Sequence, residues 1–167
     1  MTIWQDSNGS LHDDMDGAAL SLPSWPQGMT QLTAAQVAAL QAPTLAQVQA
    51  AQVAQLQASY QAAINAPVTF KNAAGVTATY PAGNSVALNG QTATQNLANV
   101  IGAGASAWTM GKWLDTNNVA QTFTFADLQG LAQAMEAVEV LDWTDLVVKV
   151  AEVQAATTVA AVQAIAF

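Results

Sequence analysis

Hydrophobic and polar residues change their spacing along the chain, and each change predicts a different element. Two short β-prone runs, residues 2–5 and 10–12, flank Asn8-Gly9, a dipeptide that readily takes the positive φ angles of a tight turn. We therefore predict a β-hairpin within an N-terminal segment of residues 1–30. Pro23 and Pro26 disfavour helix in the residues before them, so the end of this segment is predicted to be extended.

Alanine and glutamine dominate residues 31–66, which we predict to form a helical extension. Thr33 can cap a short helix, and Thr44, just after Pro43, can cap a longer one. The larger apolar side chains of the longer helix recur at spacings of three to five and form a narrow stripe: Leu45, Val48, Val53, Leu56, Tyr60 and Ile64. We predict a bundle element or a spacer, and the alternative is a low-complexity linker with partial helicity.

Residues 67–167 form the predicted C-terminal domain, which opens with β-type patterning. The runs 68–70, 76–80 and 85–88 are separated by turn-forming residues and predict a small antiparallel meander. Thr92 can then cap an apolar helix that ends near Gly102.

Bulkier side chains follow in the same domain. Residues 108–114 and 119–125 predict a second hairpin, and Thr124 can begin the next helix. Apolar residues then share one helical face: Leu128, Leu131, Met135, Val138, Trp143, Leu146, Val150 and Val153. This pattern predicts one helix of about 30 residues or two helices broken near Asp142, before a short final helix capped at Thr157-Thr158.

The order of these elements predicts an α+β fold. Two small antiparallel β elements should pack against the long C-terminal helix, with the N-terminal hairpin and the Ala/Gln-rich helical extension before them. We expect the main core to contain Trp113, Phe123, Phe125, Leu128, Leu131, Met135 and Leu146.

Charge narrows the range of partners. The chain has three lysines, no arginine and a net charge of -8, which argues against nucleic acid and against an anionic membrane surface. Between Asp16 and Lys112 the only charged residue is Lys71, so amides and methyl groups must make up much of the surface. Such a surface indicates that other protein chains cover part of it. No apolar run could span a bilayer, and we expect synthesis and first residence in the cytoplasm.

Candidate chemistry is sparse. His12 lies beside Asp13, Asp14 and Asp16, but one imidazole is too few for a typical zinc site, and no glutamate follows at a calcium-loop position. We predict a solvated turn there and no bound metal. Cysteine is absent, so disulfides and thiolate chemistry are excluded.

Paired carboxylates occur in the long helix, at Glu136/Glu139 and Asp142/Asp145. Residues three apart are neighbours on a helix surface, and these pairs are predicted to form the solvated face opposite the apolar stripe. Because His12 is the only histidine and no nucleophile motif accompanies it, we predict no catalytic residues, no cofactor and no enzymatic activity.

Candidate partner contacts come from the aromatic and apolar residues outside the predicted main core. The N-terminal segment is too small to bury two tryptophans by itself, so they either pack on the rest of the chain or anchor a partner. The residues predicted to contact another chain are Trp4, Trp25, Leu45, Val48, Leu56 and Tyr60.

Several segments together resemble a phage-tail domain family of uncharacterised function, found in short tail-associated and tail-fibre-assembly proteins of bacteriophages and prophages. The resemblance covers about residues 60–167 and is carried by Val68-Thr69-Phe70, by Asn84-Ser85-Val86-Ala87-Leu88-Asn89-Gly90, by Lys112-Trp113-Leu114-Asp115, by residues 123–131 and by Ala155-Ala156-Thr157-Thr158-Val159. Trp4, residues 8–14 and Pro23-Ser24-Trp25-Pro26 also look like the start of small prophage tail proteins.

The resemblance implies a phage tail accessory protein. It could bind a tail fibre or receptor-binding protein and assist its assembly, as a homo- or hetero-oligomer in the host cytoplasm. Alternatively, it could remain in the virion as a structural part of the tail, baseplate or fibre attachment. A cell-wall hydrolase would need a catalytic carboxylate in a substrate cleft, and the sequence offers no sign of one.

Overall fold

The computed structural model describes residues 2–14, 28–85 and 90–167. The chain divides into two compact units, Met1–Thr44 and Leu45–Phe167. With 52% of the described residues in helices, 17% in strands and small antiparallel sheets, the predicted α+β class is confirmed.

The first unit contains the predicted N-terminal hairpin. Strand β1 (Thr2–Gln5) pairs antiparallel with β2 (Leu11–Asp14), and β3 (Thr30–Gln31) pairs with the other edge of β1. The Asp6 carboxylate closes the turn, because its Oδ1 accepts the backbone N–H groups two and four residues later at 2.8 and 2.9 Å. Gly9 lies in this turn at φ +86°, a conformation that glycine takes without steric cost.

A short helix, α1 (Ala34–Gln41), ends the first unit. Thr33 caps it as predicted: the Thr33 Oγ1 accepts the Gln36 N–H, and the Gln36 Oε1 accepts the Thr33 N–H. This reciprocal pair satisfies two backbone donors at the start of the helix. None of the residues of α1 is buried, so capping and propensity define its position more than packing does.

The second unit contains four helices and two hairpins in its described part: α2 (Leu45–Ile64), β4 (Val68–Lys71), β5 (Thr77–Tyr80), α3 (Ala93–Ala103), β6 (Lys112–Leu114), β7 (Ala120–Thr122), α4 (Phe125–Ala155) and α5 (Val159–Gln163). The third strand predicted for the meander falls largely on residues 86–89, outside the described residues. Helix α4 continues through Asp142 without a break, which decides between the two alternatives for the long helix.

Polar side chains join the two hairpins of the second unit. Thr116 donates its backbone N–H to the Thr79 carbonyl at 2.9 Å, and the two threonine hydroxyls lie 2.7 Å apart. Asn72, which is 3% exposed, donates its side-chain amide to the Thr122 carbonyl and accepts the Val76 N–H. These bonds fix β4–β5 against β6–β7 and satisfy an amide that would be costly to bury unpaired.

The N-terminal half of α4 packs against both hairpins and α3. This β-side core consists of Val68, Tyr80, Ala82, Leu97, Phe123, Leu128, Leu131 and Met135. Tyr80 and Phe123 meet edge to face with their ring centroids 5.2 Å apart. Trp113 and Phe125, predicted as core members, pack on its border as partly buried residues.

The C-terminal half of α4 packs against α2 and α5. This helical core consists of Val48, Leu56, Tyr60, Leu146, Val153 and Val162. The Gln49 Nε2 donates to the carbonyls of Val153 and Ala156 at 3.0 and 3.1 Å, so the start of α2 lies at the end of α4. The two helices therefore run antiparallel, and a glutamine satisfies carbonyls that the end of α4 leaves without partners.

Leu146 and Trp143 differ in how far they match the predictions for α4. Leu146 is buried as expected, but the second unit has two cores where one main core was predicted, and Leu146 belongs to the helical core. Trp143, predicted on the buried face, is 55% exposed. Both differences arise because α2 docks on the second half of α4 and covers Leu146 while leaving most of the indole uncovered.

A tight turn links the end of α2 to the start of α3. Gly83 lies at φ +57°, and its carbonyl accepts the Thr94 N–H at 3.3 Å. The next residue, Asn84, donates its N–H to the side-chain oxygen of Asn65, and Ser85 accepts the Ala93 N–H at 2.7 Å. The turn therefore joins the C-terminal end of α2 to the N-terminal end of α3.

Candidate protein interaction surface

A row of exposed apolar side chains runs along the second half of α4. Val140, Leu141, Val147 and Val148 are between 50% and 71% exposed. At about 100° per residue, they and three smaller neighbours lie within an arc of about 120° on the side opposite the helical core. We call this surface the α4 face: Ala137, Val140, Leu141, Thr144, Val147, Val148 and Ala151, all exposed.

Helix α4 is therefore apolar on two opposite sides. Leu146 and Val153 point into the helical core, where they are at most 5% exposed, while the α4 face points away from it. An ordinary surface helix carries polar residues opposite its buried stripe. A helix that is apolar on both sides is typical of one that another element or another chain covers on its second side.

Trp143 borders the α4 face as a partly supported aromatic side chain. Its ring meets the Tyr60 ring edge to face, with centroids 5.7 Å apart and an interplanar angle of 64°. The contact restrains the indole while 55% of the residue remains exposed. A large, restrained aromatic side chain beside an apolar surface is a common anchor of protein interfaces.

Acidic residues flank the α4 face on both edges. Glu136 lies at the edge that also carries Trp143, and Asp145 and Glu152 follow the other edge. Glu139 lies beyond Trp143, on the side of α4 that faces Tyr60. Lys149, the only basic residue of α4, lies 3.8 Å from Asp145 in an i,i+4 pair. The surroundings of the face are therefore strongly negative.

Acidic residues of α4 also affect Tyr60 in the helical core. Burial raises the pKa of Tyr60, and the carboxylates of Glu139 and Asp142 raise it further. Both effects disfavour the tyrosinate anion, so the Tyr60 hydroxyl stays neutral at physiological pH.

A cleft of about 450 Å³ lies beside the N-terminal part of the α4 face. Ile64, Leu97 and Met135 supply apolar side chains to its walls, and the exposed side chains of Glu136 and Glu139 also line it. Glu136 lies both at the rim of the cleft and beside Val140 one turn later on the face, so the cleft adjoins the face at this residue, whereas Glu139 lies on the side of α4 that faces α2.

Four of the residues predicted to contact a partner lie inside the second unit. Val48, Leu56 and Tyr60 are 9%, 1% and 8% exposed in the helical core, and Leu45 packs against it half-buried. Their observed contacts are with α4 and α5 of the same chain. A role for them in contacts between chains stays a prediction, and the exposed apolar surface lies instead on α4.

The two tryptophans predicted as anchors belong to the N-terminal segment. Trp4 is half-buried on β1, where it pairs with His12 of β2. Trp25 lies outside the described residues.

The acids near His12 do not converge. Residues 12, 13 and 14 follow one another on β2, so their side chains point alternately to opposite faces of the sheet. The His12 Nε2 lies 3.3 Å from the Asp6 Oδ2, and the Ser10 N–H is the main cause that lowers the pKa of Asp6. Within the described ranges, no three histidine, cysteine or acidic residues are grouped closely enough to hold a metal ion.

Two buried carboxylates of the second unit have structural partners. Burial raises the pKa of Asp127, but hydrogen bonds from the Thr124 N–H, the Thr124 hydroxyl and the Ala73 N–H outweigh it, so the net shift is downward. Asp115 accepts from the Gln121 side-chain amide and from the N–H groups of Val119 and Asn117, which lower its pKa. Both acids serve as caps of a helix or a turn.

The α4 face was not predicted from the sequence. The side opposite the apolar stripe was expected to carry the acidic pairs Glu136/Glu139 and Asp142/Asp145, but that side is apolar; Glu136 and Asp145 lie near its borders, and Glu139 and Asp142 lie on the side of the stripe. A usable signal was present: Val140-Leu141 recurs as Val147-Val148 seven residues later, a spacing that returns to the same side of a helix.

Comparisons with protein-family models, with curated proteins and with solved structures found no match for this chain. In the part of the chain that the structure describes, no helix has both the length and the apolar character needed to cross a membrane.

Proposed function

We propose that this protein is a non-enzymatic phage tail accessory protein that binds a tail fibre or receptor-binding protein and assists its assembly. The observation that carries the proposal is the α4 face, an exposed apolar surface centred on Val140, Leu141 and Val147. Such a surface is costly to leave in water, and burial against a partner would recover about 25 cal/mol for each Å² of apolar area.

The chemistry of the remaining side chains agrees with a binding role. Asp115 and Asp127, the buried carboxylates of the second unit, accept hydrogen bonds from backbone and side-chain donors of their own unit. The phage context comes from the resemblance of residues 60–167 to tail-associated proteins. On that basis we propose that the protein acts in the host cytoplasm during tail assembly.

A structural virion component is the second candidate, held in the tail, baseplate or fibre attachment by homo-oligomeric packing. Helix α2 favours this candidate, because Leu45–Ile64 contains no charged residue and its exposed positions are all alanine or glutamine. A surface of methyl groups and amides suits permanent burial among identical chains better than prolonged exposure to water.

Light scattering distinguishes these candidates. The mass of the purified protein is measured alone and after co-expression with the product of the neighbouring tail-fibre gene. A complex of defined ratio with the fibre is expected for an assembly factor, whereas a stable homo-oligomer that ignores the fibre would support the virion component. A monomer that binds no fibre would contradict both.

A matched pair of variants tests whether the α4 face is responsible. Val147→Asp places a charge within the face, and Val119→Asp places the same charge on an equally exposed valine of the second hairpin; the two residues are 51% and 52% exposed. We expect only Val147→Asp to abolish the complex. If both variants lost the complex, or if neither did, the α4 face would not be the surface that forms it.

A further inference from the structure

We propose that the α4 face and the adjoining cleft together bind an amphipathic helix of another protein, one that carries lysine or arginine beside its apolar stripe. The inference rests on the proposed function only in requiring a protein partner. It adds the kind of segment that the partner presents and the position at which its basic side chain binds.

The spacing of the α4 face fits a helix. Ala137, Thr144 and Ala151 recur every seven residues, and Val140 and Val147 fall between them, which is the three-and-four alternation of a helix-packing seam. The face extends over about 21 Å, or four helical turns. Small residues at every seventh position leave holes that the side chains of a second helix can fill.

The exposed area is large enough to matter. Val140, Leu141, Trp143, Val147 and Val148 together expose roughly 550 Å², close to the upper end of the largest apolar patch on ordinary monomers. A standard interface buries about 800 Å² on each partner. The smaller members of the face and the walls of the cleft supply most of the difference.

Charge favours a basic partner helix over a second copy of this chain. Glu136 lies at one edge of the face and Asp145 and Glu152 at the other, Glu139 adds a further carboxylate in the cleft, and Lys149 is already paired with Asp145. A second copy would bring the same acidic edges together in a chain whose net charge is already -8. Like charges across an interface disfavour it, whereas lysine or arginine on the partner would be attracted.

The cleft suits one long basic side chain of that helix. Ile64, Leu97 and Met135 can contact a hydrocarbon stem, and the carboxylates of Glu136 and Glu139 can accept from the charged end. At about 450 Å³ the cleft holds such a side chain together with water. Because Glu136 also borders the α4 face, a helix on the face can extend one long side chain past Glu136 into the cleft.

Two labelled peptides test the proposal by fluorescence anisotropy with the full chain. The first is a 21-residue helical peptide with leucine at heptad positions a and d and lysine at e and g, and the second has glutamate in place of the lysines. We expect the lysine peptide to bind at least about tenfold more tightly at low salt, with a difference that shrinks as salt increases. Equal binding of the two peptides would overturn the proposal.

Substitutions separate a specific site from general attraction between acid and base. Val147→Asp adds a negative charge, so it would strengthen purely electrostatic binding, yet we expect it to weaken lysine-peptide binding at least about tenfold. Val119→Asp, at matched exposure, is expected to preserve it. If Val147→Asp binds as well as the unaltered chain, the α4 face is not the docking surface.

The cleft is tested by Glu136→Gln and Glu139→Gln, each expected to weaken the lysine peptide about threefold to tenfold. Asp13→Asn removes one exposed charge in the first unit and is the control for net charge. Equal effects at all three positions would overturn a specific role for the cleft.

Further outcomes distinguish this inference from the proposed function. A homodimer that Val147→Asp dissociates would identify a second copy as the occupant and overturn the inference. Fibre binding that survives both Val147→Asp and Glu136→Gln would also overturn it while leaving the function intact. Tight lysine-peptide binding without any fibre complex would support the inference and contradict the phage-tail function.

Discussion

The turn at Gly83 offers the sharpest test of the packing in the second unit. A Cβ atom built on Gly83 would lie 2.5 Å from the Ile64 carbonyl oxygen and would also overlap the side-chain oxygen of Asn65. The Ile64 carbonyl oxygen is a backbone atom, so it cannot rotate away as the end of a flexible side chain can. Gly83→Ala therefore forces the turn away from the end of α2.

The expected loss of stability has three parts. Alanine at φ +57° costs about 1–2 kcal/mol, and the forced displacement adds about 1–3 kcal/mol, as in an overpacked core. Weakening the hydrogen bond from Asn84 to Asn65 adds about 1 kcal/mol. Because these effects overlap, we expect a total loss of about 3–5 kcal/mol in the free energy of unfolding.

Gly75→Ala is the matched control. Gly75 has φ +84°, and nothing lies within 4 Å of its added Cβ, so only the backbone cost of about 1–2 kcal/mol applies. Urea unfolding followed by circular dichroism at 222 nm measures both variants. Equal losses in the two variants would show that the turn does not pack closely against α2.

Three other substitutions test separate parts of the second unit. Leu56→Ala, at a side chain 1% exposed in the helical core, should lower the free energy of unfolding by about 2–5 kcal/mol. Leu141→Ala, at a side chain 71% exposed, should change it by less than about 0.5 kcal/mol. Similar losses for the two variants in urea unfolding would refute the assignment of Leu56 to the core and of Leu141 to the surface. Tyr80→Phe should leave the free energy of unfolding unchanged or raise it by up to about 1 kcal/mol, because the buried Tyr80 hydroxyl has no hydrogen-bond partner among the described residues. A decrease of more than about 1 kcal/mol, measured by thermal unfolding, would contradict this. Asp127→Asn should lower the free energy of unfolding at pH 7, and its difference from the unaltered chain should shrink as pH falls below about 4. The reason is that the pKa of Asp127 is lower in the folded than in the unfolded state, so the ionised carboxylate stabilises the fold and this stabilisation is lost on protonation. A difference in free energy that stays constant down to pH 2 would be inconsistent with that ionisation.

Local chemistry made many of the element boundaries predictable. Thr33, Thr92, Thr124 and Thr158 each cap the helix expected after them, and Asn8-Gly9 forms the expected turn. Each of these signals depends on residues within about four positions, so the sequence contains nearly all the required information.

Long-range packing was less predictable. The expectation of one main core that includes Leu146, and of Trp143 on its buried face, depended on a single apolar stripe along α4. The helix in fact changes partners along its length, from the hairpins to α2. The sequence contains apolar residues on both sides of α4, and only the docking of α2 determines which side remains exposed.

The two cores on α4 also imply an order of folding. The β-side core is closed over shorter stretches of chain, such as the 50 positions from Asn72 to Thr122, whereas Gln49 reaches Val153 and Gln52 reaches Ile165 across 104 and 113 positions. Closing such long loops lowers the chain entropy before the stabilising contacts between α2 and α4 have formed. We therefore expect α2 to dock after the rate-limiting step of folding. Leu56→Ala would then act mainly by accelerating unfolding, which makes α2 the first element of the second unit to detach.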